Sequence, residues 1–203
     1  MTDPILVGRG VTRRFGGLVA VNAVDFEILE GEIFGLIGPN GAGKTTLFRL
    51  LSGVYRPSAG TIMFRGQPVG GRSAHTINGL GIATTHQIVR PFAEMPVDKN
   101  VLVGALYGRG KLRGRAAEAE VDRILELTEL APHRATLGRS LTLARRKRLE
   151  VARALATRPD ILLLDEVAAG LNPTEGARMI DLIRKVRDSG VTIVMNSCAG
   201  FCP

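Results

Sequence analysis

Apolar and polar residues alternate from Val21 to Ile28, with Val24, Phe26 and Ile28 on one side and Asp25 and Glu27 on the other. A period of two predicts a half-buried strand. Ile33 to Ile37 is instead a short apolar run ending in Gly38-Pro39, the pattern of a buried parallel strand. Helical spacing follows from Thr46 to Leu51, with Leu47 and Leu51 on one face and Gly53 and Pro57 closing the segment. Thr61 to Phe64 reads as another short strand. From Phe92 to about Ser140 the character changes: Val121, Ile124, Leu125 and Thr128 recur at helical spacing within Ala116 to Leu130, with Glu118, Glu120, Asp122 and Arg123 off that stripe. This stretch is expected to be a helical insert. Arg146 to Ala156 predicts a further helix, and Ile161 to Leu164 an all-apolar strand opened by Pro159-Asp160. Asn172-Pro173-Thr174-Glu175 is a helix start, with a cap, a proline at the first position and an acid three residues after the cap. Met179, Leu182, Ile183 and Val186 supply that helix's buried stripe, and Val191 to Met195 is the last core strand. Strands alternating with helices predict an α/β fold with a mainly parallel sheet.

A chain of 203 residues fits one large domain or a core with an insert. With 45% hydrophobic and 23% charged residues, global disorder is excluded. Glycine is in excess, 25 residues, and has no collagen period, so it is read as turns and phosphate loops. Two cysteines, Cys198 and Cys202, cannot build a disulfide framework, which points to a reducing, cytosolic setting. The longest uncharged stretch, Ser73 to Val89, is interrupted by Ser, His, Thr, Asn and Gln and does not read as a membrane span. Met1-Thr2-Asp3-Pro4 has neither the basic start nor the apolar core of a signal peptide. A soluble protein is expected. The formal charge of +8 suits an anionic partner. It sits in two clusters, Arg109, Lys111, Arg113 and Arg115, then Arg145, Arg146, Lys147 and Arg148; aromatics are only 4% and do not interleave with them. Base-stacking platforms, and with them nucleic acid, are not expected; the second cluster reads as a solvated helix face.

Gly38-Pro39-Asn40-Gly41-Ala42-Gly43-Lys44-Thr45-Thr46 matches the G-x-x-x-x-G-K-[ST] phosphate loop, between a predicted strand and a predicted helix. Glycines let successive N–H groups turn toward phosphates, and the helix N-terminus adds positive potential. Lys44 can reach the β- and γ-phosphates, and the Thr45 hydroxyl is placed for Mg²⁺. Further on, Ile161-Leu162-Leu163-Leu164-Asp165-Glu166 ends an apolar strand in two acids. Taken alone, that is a strand leaving the core. Beside a phosphate loop, Asp165 can hold Mg²⁺ through water and Glu166 can polarise the attacking water.

With these residues in place, the sequence from about Val7 to Met195 resembles the ATP-binding subunit of an ATP-binding cassette (ABC) transporter. The resemblance implies a P-loop NTPase (RecA-like) core with an antiparallel β subdomain and a helical insert. It divides the chain into 1–91 (first part of the nucleotide-binding core), 92–145 (helical subdomain) and 146–203 (second part of the core). Phe15, in Arg14-Phe15-Gly16-Gly17, matches the family's adenine-stacking aromatic; the alternative is a buried strand-end phenylalanine. Gln87, in Thr85-His86-Gln87-Ile88 before Pro91-Phe92, matches the glutamine loop, which touches Mg²⁺ and couples to membrane subunits. Ala169-Gly170-Leu171-Asn172-Pro173 lies where the family has its D-loop. The family signature Leu-Ser-Gly-Gly-Gln falls on Leu141-Thr142-Leu143-Ala144-Arg145.

Arg14-Phe15-Gly16-Gly17-Leu18-Val19-Ala20-Val21, Asn100-Val101-Leu102-Val103-Gly104, Leu149-Glu150-Val151-Ala152-Arg153-Ala154-Leu155 and Ala168-Ala169-Gly170-Leu171-Asn172-Pro173 resemble the branched-chain amino acid importers. That implies ATP and Mg²⁺ as ligands and ATP hydrolysis coupled to uptake. It also implies a second ATP-binding subunit, identical or paralogous, permease subunits, and indirectly a solute-binding protein. The place implied is the cytoplasmic face of the plasma membrane. Three departures stand out. Leu143 and Ala144 replace signature glycines, Val167 replaces a proline after Glu166, and Asn196, Ser197 and Cys198 stand where the family reads an apolar residue, Glu and the switch histidine. The last, with the chain ending at Pro203, reads as truncation, and predicts ATP binding with little hydrolysis. A non-transport ABC ATPase acting on ribosomes or DNA is the alternative from another class.

Overall fold

The computed structural model describes residues 4–85 and 91–196. Strands β1 (Pro4–Phe15) and β2 (Leu18–Leu29) form a long antiparallel hairpin, and β4 (Ala59–Phe64) and β5 (Gln67–Pro68) extend it in the order β2-β1-β4-β5. The alternation in β2 holds: Val21 and Ile28 are buried, Val24 and Phe26 half-buried, Asp25 and Glu27 exposed. Strand β1 has no such period, because Gly8, Arg9, Gly10, Arg13 and Arg14 interrupt its apolar positions. Pairing on both edges holds it, with Leu6 opposite Ile28 on one side and Phe64 on the other.

The second sheet is wholly parallel. It contains β3 (Ile33–Leu36), β6 (Ile82–Thr84), β7 (Ile161–Asp165) and β8 (Thr192–Asn196), in the order β3-β8-β7-β6. The central strand β7 shows why its run from Ile161 to Leu164 is continuously apolar. Ile161 and Leu163 of β7 enter the core shared with the hairpin sheet and helix α1 (Lys44–Leu51), while Leu162 and Leu164 enter the core on the other face. A strand buried on both faces has no polar side to show. The expectation that Ile33 to Ile37 is buried needs correction. Among the described residues β3 has β8 as its only strand neighbour, its residues are half-buried or exposed, and the following Ile37 is 59% exposed.

Helices α2 (Ala74–Leu80), α3 (Val97–Tyr107), α4 (Gly114–Leu127), α5 (Leu143–Leu155) and α6 (Pro173–Asp188) complete the fold. Val121, Ile124, Leu125 and Thr128 are all buried, as the helical spacing requires. Glu120 is buried as well, held by Arg123 with a bond of 2.8 Å. The bond to Arg123 holds the Glu120 carboxyl below the usual glutamate range, against the opposing effect of burial. The start of α6 is a complete capping box: Asn172 Oδ1 accepts from Glu175 N at 2.9 Å, and Glu175 Oε2 accepts from Asn172 N. Helix α5 begins at Leu143, earlier than Arg146, because Thr142 caps it. Its basic cluster is not a solvated face throughout. Lys147 is buried, and Arg148 is folded back onto Glu129 and the Thr128 carbonyl. Among the described residues no helix is long and apolar enough to cross a membrane.

Candidate functional site

The phosphate loop runs from the carboxyl end of β3 into α1. Gly43 is the helix cap at φ 82, with no side chain capping the first turn. The N–H groups of that turn lack intrahelical acceptors, and with the helix dipole they form a seat for an anion. Within the loop, Ala42 N donates to Pro39 O at 3.2 Å. Lys44 Nζ curls back over the loop, donating to Gly38 O at 2.5 Å and Pro39 O at 2.9 Å. A phosphate at the mouth would exchange these neutral acceptors for charged ones. The cradle fits a nucleotide polyphosphate.

Strand β7 delivers Asp165 and Glu166 to the same end of the sheet. Only β8 separates it from β3, and Asn196 lies in register with both Leu36 and Asp165. Ligands in open α/β sheets sit at this carboxyl end. Asp165 is fixed from three sides. Its N–H faces Thr85 Oγ1, its Oδ1 accepts from Asn196 Nδ2 at 2.7 Å, and the next residue's N–H donates to Asn196 O at 3.1 Å. Glu166 adopts φ 50, uncommon for a residue with a side chain. The turn there is held by Lys147 Nζ, which donates to Glu166 O at 2.9 Å. Burial pushes the Lys147 ammonium below the ordinary lysine value, and the charge of Glu166 opposes the shift. Thr45 and Asp165 offer the hard oxygen donors that Mg²⁺ takes. Among the described residues no three His, Cys, Asp or Glu side chains converge on a metal position.

Phe15 closes the hairpin and is 38% exposed, so it is not a buried strand-end residue. The Arg13 guanidinium lies 4.5 Å from its ring centroid, and Tyr55 meets it edge-on with centroids 5.1 Å apart. In the signature segment, Leu141 is buried, Thr142 Oγ1 accepts from Arg145 N at 3.4 Å, and Leu143, 40% exposed, opens α5. Thr142, Ala144 and Arg145 border a cavity of about 310 Å³ shared with Arg148, Glu175 and Arg178. A second cavity, about 240 Å³, lies where α3 and α5 meet β6, lined by Thr84, Val103, Tyr107 and Arg153 among others; Tyr107 is 75% exposed. Gln87, Ser197 and Cys198 lie outside the described residues. Two contacts escaped the sequence reading, Asn196 to Asp165 and Lys147 to Glu166. The polar Asn196 ending an apolar strand was the signal for the first; nothing local marks the second.

The sequence profile of a family described as ABC transporter matches residues 21–169. The chain belongs to the ABC transporter family. This ABC cassette is 41% identical over 208 residues to the high-affinity branched-chain amino acid transport ATP-binding protein LivG of Escherichia coli K12, covering 96% of this chain and 82% of LivG. It is also 41% identical, over 212 residues, to BraF of Pseudomonas aeruginosa, described in the same words, again covering 96% and 82%. Among solved structures it is similar to the ADP conformation of MJ1267, an ATP-binding cassette of an ABC transporter, with 25% identity, a TM-score of 0.87, and 97% of this chain and 82% of that one covered. The α/β architecture with one antiparallel and one parallel sheet is that of an ABC ATPase.

Proposed function

We propose that this cassette is the ATP-binding subunit of an importer for branched-chain amino acids or related solutes. The observation that carries the ATP part is the convergence of the Lys44 loop and the Asp165-Glu166 pair on one sheet end, one strand apart. Likeness to LivG and BraF supports the solute class.

In this reading Phe15 stacks on adenine, the α1 first turn and Lys44 hold the β- and γ-phosphates, and Thr45 and Asp165, with Gln87, are the residues to hold Mg²⁺. When bound, that ion neutralises phosphate charge. Glu166 orients water for in-line attack on the γ-phosphate, and Lys44 stabilises the charge that develops on its oxygens. The Lys147 bond to Glu166 O keeps that turn in place. A second ATP-binding subunit completes each site through the segment Leu141 to Arg145. The segment 92–145 acts as the helical subdomain, and the groove beside Tyr107 receives the permease at the membrane face. Co-expression with a branched-chain permease pair and its binding protein tests this. Leucine uptake into vesicles that Lys44→Ala abolishes is expected; a cassette that never co-purifies with the permease refutes it.

A second reading, ATP binding with little turnover, draws on the signature segment. Thr142 already occupies Arg145 N, and Leu143 and Ala144 bring side chains where the family has glycine. Steady-state phosphate release separates the two.

A further inference from the structure

Asn196 ends the central strand β8 after the apolar run Ile193, Val194 and Met195, and it is 2% exposed. Its register places it between the last residue of the β3 strand and Asp165. Its main-chain oxygen accepts from Glu166 N at 3.1 Å, and any residue could supply that bond. Its side chain does something more specific. Nδ2 donates to Asp165 Oδ1 at 2.7 Å, while its own Oδ1 is buried with no hydrogen-bond partner among the described residues. An unsatisfied buried acceptor works against folding stability. The amide thus sets one orphaned acceptor against one donor, and that donor is aimed at Asp165.

We infer that Asn196 is a positioning residue for Asp165, and that its amide competes with a divalent cation for the carboxylate's charge. The inference rests on Asp165 being the Mg²⁺-holding carboxylate proposed above. With no cation, the half-buried carboxylate is stabilised by the amide N–H. Cation binding draws its charge away and weakens that bond. A group that favours the cation-free state more than the cation-bound state lowers cation affinity by that difference. An apolar side chain at this position offers no such donor, so Asn196 sets a higher Mg²⁺ requirement for tight nucleotide binding. It also holds the Asp165 rotamer so that one oxygen keeps a fixed direction.

Binding of a non-hydrolysable ATP analogue to the 203-residue chain, titrated by calorimetry at increasing free Mg²⁺, tests this with no turnover needed. Asn196→Leu and Asn196→Ala should reach half-maximal binding at about three- to tenfold lower Mg²⁺ than wild type. Thermal unfolding without nucleotide balances the orphaned acceptor removed against the Asp165 bond lost, so it serves as the folding control. A purely structural asparagine would leave the Mg²⁺ requirement unchanged whatever the change in stability. An unchanged or higher requirement overturns the inference, and Asn196→Ala alone decides it should the leucine variant fail to fold. Asp165→Asn is the control. If it leaves a wild-type Mg²⁺ dependence intact, or if the wild type shows none, the reading of Asp165 itself falls, and this inference with it.

Discussion

Alanine at Gly43 separates backbone strain from steric displacement in the phosphate loop. Gly43 caps α1 at φ 82, a left-handed conformation that costs a residue with a side chain about 1–2 kcal/mol. Its added Cβ would also lie 2.3 Å from Ala20 O in β2. That oxygen lies between Val19 and Val21, both paired with β1, which limits how far it can move. Restoring an ordinary contact of about 3.5 Å lifts the loop off the hairpin by about 1 Å, and overpacking of this kind costs about 1–3 kcal/mol. Together the two effects destabilise the chain by about 2–5 kcal/mol. Gly41 is the comparison. It has φ 85 but open space around a new Cβ, so alanine there brings the strain alone, about 1–2 kcal/mol. Urea unfolding should rank Gly43→Ala well below Gly41→Ala. Calorimetry should show Gly43→Ala losing about tenfold or more in ATP affinity, because the donors that move are those facing phosphate. Equal stability losses in the two variants would refute the argument that β2 buttresses the loop.

Lys44→Ala should lower ATP affinity by about ten- to a hundredfold, as expected for a charge-assisted phosphate contact, with unfolding little changed because the ammonium is bonded only to loop carbonyls; calorimetry and a melting curve read the two. Asn172→Ala removes half of the α6 capping box and should lower stability by about 1 kcal/mol in urea. The depressed Glu120 carboxyl contributes stability that is full above the ordinary glutamate pKa of about 4.3 and fades as pH falls from there through its lower folded value. Glu120→Gln should therefore flatten the acid limb of a stability profile below that pH, and an unchanged limb would show that the Arg123 pair is energetically silent.

What could be read from the sequence was local. The phosphate loop and the capping box of α6 are each written in consecutive residues, and each forms where expected. Alternation in β2 was legible because one of its faces meets solvent. Strand β1 was not, since its order comes from two neighbours rather than from a period of its own. Helix α2 shows only a Ser73 cap, with Ile77 as its one buried residue, too little for a stripe. Lys147 was misjudged for a related reason. Four successive basic residues look equivalent on paper, but helical rotation turns one of them toward Glu166 and the core. Likewise the Asn196 to Asp165 bond depends on two strands, far apart in sequence, ending in the same row.

Strand β8 has a consequence for how the chain is made. It is the last of the described strands to be synthesised, yet it lies inside the parallel sheet, and among the described residues β3 touches no other strand. Ile33 waits opposite an empty place until Ile193 arrives, a closure whose entropy is about 4–5 kcal/mol for a loop of roughly 160 residues. The hairpin sheet can assemble early on the ribosome, but the seat for nucleotide cannot. Throughout that interval the apolar run of β7 lacks a flank and is open to wrong pairing, the period in which a chaperone would matter most. A stop codon before Thr192 would thus do more than trim a margin: it would remove the one described strand that pairs with the phosphate loop's own strand.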